Sequence, residues 1–117
     1  MMPQVGPDHY LSLTYTSKAR FCSYWHQISE VVLLNPSTVL EIGIGNGIVS
    51  YYLRKIGITV CTLDIDERLH PDKVGSVLAI PFTDDSFDLV ACYEVLEHLP
   101  YESFSKALGE IYRVTKS

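Results

Sequence analysis

Glu41, Gly43, Gly45 and Gly47 stand at alternate positions directly after the apolar pair Val39-Leu40, and Asp64 follows 17 residues after Gly47. Glycines at such a spacing let a backbone turn pass close to a ligand, because no Cβ stands in the way. The alternative is a tight strand-to-helix turn that needs positive φ and nothing more. A carboxylate that ends a second apolar run can accept both hydroxyls of a ribose. Together these residues suit an adenosine-type ligand held at the carboxyl ends of parallel strands. The spacing argues against a phosphate. A dinucleotide turn has glycines at its first, third and sixth positions, and the sixth position here is Ile48, whose branched side chain would crowd a pyrophosphate. No Gly-Lys-Ser/Thr follows, so the mononucleotide phosphate loop is also excluded. Glu41, two places before the first glycine, disfavours an anion and suits an amino group or a positive charge.

The elements that must position these residues alternate between strand and helix patterns. Apolar and β-branched residues at 38 to 42 predict a strand covered on both faces. A short helix is expected from 47 to 55, stopped by Gly57, then a second strand over 59 to 63. A third strand is expected at 74 to 78 and a fourth at 87 to 92, with one helical turn at 94 to 98. An amphipathic helix is expected over 103 to 115, with Phe104, Leu108, Ile111, Tyr112 and Val114 on its apolar side. Ahead of the first strand, residues 1 to 16 read as an irregular arm broken by Pro3, Gly6 and Pro7. Ser17 is a good N-cap for a helix to about Leu34, with Phe21, Trp25, Ile28, Val31 and Val32 as its apolar positions. Alternation of this kind predicts an α/β fold: a Rossmann-like parallel sheet with helices on both faces and right-handed crossovers. A ligand with an adenosine, a sulfonium and an amino acid end, and no phosphate, meets every requirement above; S-adenosylmethionine is such a ligand.

The motif Glu41-x-Gly43-x-Gly45-x-Gly47 is followed by Leu63-Asp64-Ile65-Asp66, by Ile80-Pro81-Phe82 with Ser86-Phe87-Asp88-Leu89-Val90, and by Val95-Leu96-Glu97-His98-Leu99. In that order and spacing they resemble the class I S-adenosylmethionine-dependent methyltransferases, in particular the small-molecule group that includes quinone-biosynthesis enzymes. The resemblance runs from about residue 36 to 115. It implies a sheet of strand order 3-2-1-4 that goes on to further strands, so this chain is expected to stop before the fifth strand and to be a fragment of a longer protein. It divides the chain into an arm and helix, 1–35, and a cofactor-binding core, 36–117. If the chain is not a fragment, the apolar fourth strand exposes an edge that invites edge-to-edge homodimers.

The resemblance also implies roles. Glu41 helps hold the methionine end of the cofactor, with capping of backbone N–H groups as the alternative. Gly43, Gly45 and Gly47 form the turn beneath it. Asp64 takes the ribose, with Asp66 as competitor, and Ile65 lies against the adenine. Many relatives carry an aspartate for the adenine amino group where this chain has Ser76, so Ser76, Val77 or the backbone of Leu78 takes that place. Tyr93 and Glu94, with Glu97 and His98, fall at the rim where a methyl acceptor sits, and His98 or Glu94 is a candidate base for a phenol. Tyr10, Tyr15, Lys18 and Arg20 belong to a segment that lids the cofactor, and Arg20 or Lys18 is a candidate partner for its carboxylate. A packed aromatic arm on a solvated helix is the alternative. The rival functions are a cofactor-binding module without catalysis and, less favoured because of Ile48, a nicotinamide-dependent oxidoreductase.

At 117 residues the chain fits one domain, able to bury roughly 65% of its unfolded surface. A net charge of −5 without a lysine or arginine run argues against a nucleic-acid partner and leaves a small-molecule methyl acceptor. No apolar run reaches the roughly 20 residues of a membrane helix, and no secretion signal is evident at the N-terminus. Cysteines at 22, 61 and 92 make no disulfide framework, so a reducing cytoplasm is expected. Cys22 and His26 lie one helical turn apart but lack further ligands, so no metal is expected.

Overall fold

The computed structural model describes residues 5–117, so the first four residues of the expected arm lie outside the described residues. Four parallel strands form one sheet in the order β3-β2-β1-β4, as the sequence predicts. The strands are β1 (Thr38–Ile42), β2 (Thr59–Asp64), β3 (Lys73–Val74) and β4 (Leu89–Cys92). Three α-helices flank them: α1 (Lys18–Leu34), α2 (Ile48–Lys55) and α3 (Phe104–Val114).

β1 is the central strand, in register Thr38 with Thr59 on one side and Val39 with Leu89 on the other. Its side chains alternate between two cores, as the period of a strand requires. Val39 packs with Tyr24 and Val31 of α1 and with Val49 and Leu53 of α2. Leu40 and Ile42 pack on the opposite face with Leu63, Val77, Phe87 and, from α3, Ala107 and Val114. Leu40 and Leu63 are wholly buried, where truncation to alanine costs about 2–5 kcal/mol. A parallel sheet covered on both faces is what the continuous apolar runs demand.

Ser17 caps α1 as expected, its Oγ accepting from the Arg20 N–H, and Asn35 closes the helix in the left-handed region at φ 49°. The buried side of α1 shares only Ile28 and Val31 with the expected stripe. Tyr24, Ile28 and Val31 face the sheet, while Phe21, Trp25 and Val32 are exposed. α3 behaves alike: Ile111 and Val114 pack inward as expected, joined by Ala107, while Phe104, Leu108 and Tyr112 face outward.

The third strand is shorter than expected. Pairing with β2 ends at Val74. Beyond it, Ser76 Oγ accepts from the Leu78 N–H (3.0 Å) and the Ala79 N–H donates to the Ser76 carbonyl (3.1 Å), so the chain turns. Local capture of backbone donors by a serine competes with strand pairing. Val77 and Ile80 therefore reach the core from a loop. Arg113 of α3 clamps that loop, donating to the carbonyls of Ile80 and Phe82 at 2.8 Å each and pairing with Glu110.

The fourth strand begins at Leu89, two residues later than expected, because the Asp88 carboxylate turns to the Ser37 and Thr38 N–H groups (3.0 and 2.9 Å). On the far side of β4, Phe87 bridges in parallel to Thr115, and the Lys116 N–H donates to the Phe87 carbonyl (2.8 Å). The chain after α3 thus already runs alongside the start of the fourth strand. Leu89–Cys92 has no partner there among the described residues.

Candidate functional site

The 43–47 turn leaves β1 with three consecutive alternate glycines at positive φ: 80° at Gly43, 54° at Gly45 and 81° at Gly47. They do different things. A Cβ on Gly43 would lie 2.5 Å from Val95 Cγ2, so this glycine lets the turn pack under the loop after β4. A Cβ on Gly45 would lie 3.2 Å from the Tyr15 hydroxyl, which rests over the turn. Gly47 is open on all sides and starts α2, while the Asn46 Oδ1 accepts from the Ile48 N–H (3.1 Å).

Asp64 ties β2 to this turn. Its Oδ2 accepts from the Ile44 N–H (3.0 Å) and its Oδ1 from the Asp66 N–H (2.9 Å). Each oxygen retains a lone pair for a ligand. Asp66 is differently engaged. It grips Arg68 with both oxygens (2.9 and 3.0 Å), caps the short 3-10 turn Glu67–Leu69, and is held below the usual carboxylate range by Arg68.

Around these residues lies a cavity of about 350 Å3. Its floor is Glu41, Ile42 and Gly43; its far wall is Asp64, Ile65, Asp66 and Val77. Tyr93, Glu94, Val95 and His98 form the rim after β4. Of the residues singled out in the sequence for the cofactor and the acceptor rim, Gly47, Ser76, Leu78 and Glu97 are not among those lining it. Gly47 serves the helix start and Ser76 the loop turn. The expected helical turn at 94 to 98 is instead the 3-10 turn Leu96–His98, and its His98 Nε2 lies 3.5 Å from Glu97 Oε1.

The N-terminal arm closes the cavity. His9, Tyr10 and Tyr15 pack edge to face with ring centroids 5.0–5.3 Å apart. Arg20 stacks 3.8 Å above the Tyr15 ring, donates Nε to the Tyr15 carbonyl (2.8 Å), and pairs with Glu94 at 2.6 Å. Glu94 holds this pair with φ at 57°, a left-handed conformation that costs a non-glycine residue about 1–3 kcal/mol. Lys18 is exposed at the start of α1 and does not line the cavity, so Arg20 is the arm's cation at the site. Tyr24 and Asn46 are among the cavity residues without a signal in the sequence. Tyr24 points in from α1 with its hydroxyl accepting from Asn46 Nδ2 (3.0 Å), and burial pushes it up to about 12. Asn46 itself reads as a turn residue until its contacts with Thr16 and Tyr24 are seen. Tyr93 donates to Glu30 of α1 (2.8 Å), and burial pushes its pKa up further still.

Glu41 is the outlier. The residue is 4% exposed, and its buried Oε2 has no hydrogen-bond partner among the described residues. Burial pushes its carboxyl up from 4.5 to about 8, against a smaller favourable field from Arg54. The folded chain therefore keeps a proton that the unfolded chain has released between those two values. Stability of the ligand-free protein falls as pH rises through that window, by on the order of 3–5 kcal/mol. Glu41→Gln should flatten this slope, leaving the variant more stable than the parent at pH 8 and similar to it near pH 4.5. Urea melts at the two pH values would show it; parallel slopes for both proteins would refute it.

A methyltransferase domain profile matches residues 40–117. The chain is 40% identical over 92 residues to an uncharacterized methyltransferase of Schizosaccharomyces pombe, covering 68% of this chain and 35% of that protein. It is 32% identical over 104 residues to the ubiquinone biosynthesis O-methyltransferase of Pseudomonas entomophila, covering 76% of this chain and 44% of the relative. A solved structure from Methanococcus maripaludis, a proposed S-adenosyl-L-methionine-dependent methyltransferase, superposes over 100% of this chain and 64% of its own, with a TM-score of 0.73 at 22% identity. The chain thus spans less than half the length of these two curated relatives. The β1–glycine turn–α2–β2 unit, with its acidic residues at both strand ends, and the match over two thirds of its length show that this chain belongs to the methyltransferase domain family.

Proposed function

We propose that this chain is the cofactor-binding part of an S-adenosylmethionine-dependent methyltransferase acting on a small-molecule O, N or C nucleophile. The observation that carries the reading is the unpartnered, buried Glu41 Oε2 at the floor of a cavity bounded by the glycine turn and Asp64. An anionic phosphate ligand would find a carboxylate there; an amino acid end with an ammonium group finds an acceptor. The residues fit the cofactor: Glu41 for its ammonium, Asp64 for the ribose hydroxyls, Ile65 and Val77 for the adenine faces, and Arg20 for the carboxylate. Ser76 is a poor adenine partner, since its Oγ already serves Leu78. When bound, the cofactor supplies a sulfonium whose methyl group is electrophilic. The protein's contribution is then alignment and exclusion of water, the larger part of catalysis in such a site. Tyr10 and Tyr15 close over the turn, and Glu94 and His98 face the opening where an acceptor would enter. The arm from residue 5 and α1, up to residue 35, act as the lid of a 36–117 core. A melting scan tests the binding. S-adenosylhomocysteine at a hundredfold excess over its Kd should raise Tm by roughly 10 °C, and no shift would count against the site.

The name of the ubiquinone relative supports a phenol as one acceptor class. If His98 or Glu94 takes the phenol proton, replacing it in the full enzyme should lower turnover about 10²–10⁴-fold with cofactor affinity nearly intact. Unchanged turnover in both variants would leave alignment alone as the mechanism. The acidic chain suits no nucleic-acid partner. Among the described residues no helix is long and apolar enough to cross a membrane, and no acidic, histidine and cysteine cluster could hold a metal. The three free cysteines suit a reducing cytoplasm. The outer edge of Leu89–Cys92 is where an added strand would pair, in a longer protein or in a homodimer. Sedimentation of this chain should show a concentration-dependent dimer, and a monomer at all concentrations would exclude edge pairing between copies.

A further inference from the structure

We propose that Glu41 is a neutral carboxylic acid in the ligand-free protein and that seating a ligand's ammonium group beside it drives its proton into solvent, so cofactor uptake is coupled to release of one proton. This rests on the cofactor reading above. The geometry requires some such answer. Oε2 is buried without a partner at the floor of the cavity, and an isolated carboxylate cannot be left so without neutralising. The protonated form leaves only a hydroxyl unpaired, which costs far less.

The surroundings do not supply a counter-charge. Arg54 of α2 favours the carboxylate less than burial opposes it, and its guanidinium is committed to the Val60 carbonyl and to Asp72. Asp64 at the end of β2 opposes a second negative charge. Tyr93 after β4 and Tyr24 of α1 remain neutral acids in the physiological range, both pushed up by burial. Arg20 of α1 is held by Glu94 and by the Tyr15 ring. Glu41 is thus left to the ligand. On binding, the O–H bond of Glu41 breaks, the proton passes to buffer, and the carboxylate accepts a hydrogen bond from the ligand ammonium. His9 and His98 also line the cavity, so the experiment must separate any proton they exchange from that of Glu41.

The test is calorimetric titration of the chain with S-adenosylhomocysteine at pH 6.5, in buffers of different ionisation enthalpy. Below pH 7.5 the ligand's α-amino group stays mostly charged. Wild type should release close to one proton per ligand, with affinity rising up to tenfold per pH unit between about 5.5 and 7.5. Glu41→Gln, which holds the neutral shape permanently, should release none and lose the steep pH dependence, whereas release by a histidine would persist in this variant. Infrared difference spectra give a second readout in the unaltered protein: the band of a buried protonated carboxyl should be present without ligand and vanish on binding. Binding with no proton release and no loss of that band would overturn the coupling while leaving the cofactor site intact. No binding at any pH would overturn the cofactor reading and the coupling with it; absence of the band in ligand-free protein would overturn the neutral carboxyl by itself.

Discussion

Gly43→Ala should destabilise the chain by about 2–5 kcal/mol and abolish cofactor binding. Two independent costs add. A non-glycine residue at φ 80° in a left-handed turn costs about 1–2 kcal/mol. The new methyl would also stand 2.5 Å from Val95 Cγ2, an overlap that the Val95 side chain or the turn must shift to relieve, at about 1–3 kcal/mol. The two costs can be separated. Val95→Ala alone removes a partly buried side chain at modest cost, and the double variant Gly43→Ala with Val95→Ala should recover the steric part but not the conformational part. Chemical denaturation of the four proteins closes the cycle. Equal stability of Gly43→Ala and wild type would mean that the turn is not built as described.

Asp64→Ala should lower affinity for the cofactor about 10- to 150-fold, the loss of about 1.5–3 kcal/mol expected for a hydrogen bond to a charged group. It should also weaken the fold, because the Ile44 and Asp66 N–H groups lose their acceptor together. Asp66→Ala is the contrast. It frees Arg68 and uncaps a three-residue turn, and affinity should change little. Should Asp66→Ala cost the affinity and Asp64→Ala leave it intact, the ribose lies on the other carboxylate.

These expectations come from residues that were legible before the fold was known. Glu41, the glycine turn and Asp64 carry a spacing that follows from strand and turn geometry. The continuous apolar runs of β1 and β2 fix a sheet buried on both faces. What stayed illegible depends on contacts between distant segments. On α1, Ile28 and Val31 are legible, but Phe21, Trp25 and Val32 lie at helical steps from them just as Tyr24 does, and only packing against Val39 and Leu53 selects Tyr24. The apolar residues at 74 to 78 promise a strand by composition, but Gly75 packs against Leu63 and Pro81, and Ser76 takes the Leu78 N–H, so a turn forms. The reason for glycine at 43 lies in Val95, fifty-two residues further along the chain. Tyr24 has no motif around it; its place in the cavity follows from the pitch of α1 and from Asn46.

The measurement that tests the central claim most directly is a calorimetric titration of the chain with S-adenosylmethionine, S-adenosylhomocysteine and NAD in turn. The cavity described here predicts saturable one-to-one binding of the first two, lost in Asp64→Ala, and no heat from NAD, whose pyrophosphate would meet Ile48 and Glu41. Binding of NAD in preference to S-adenosylhomocysteine, or S-adenosylhomocysteine bound equally well by Asp64→Ala, would contradict it.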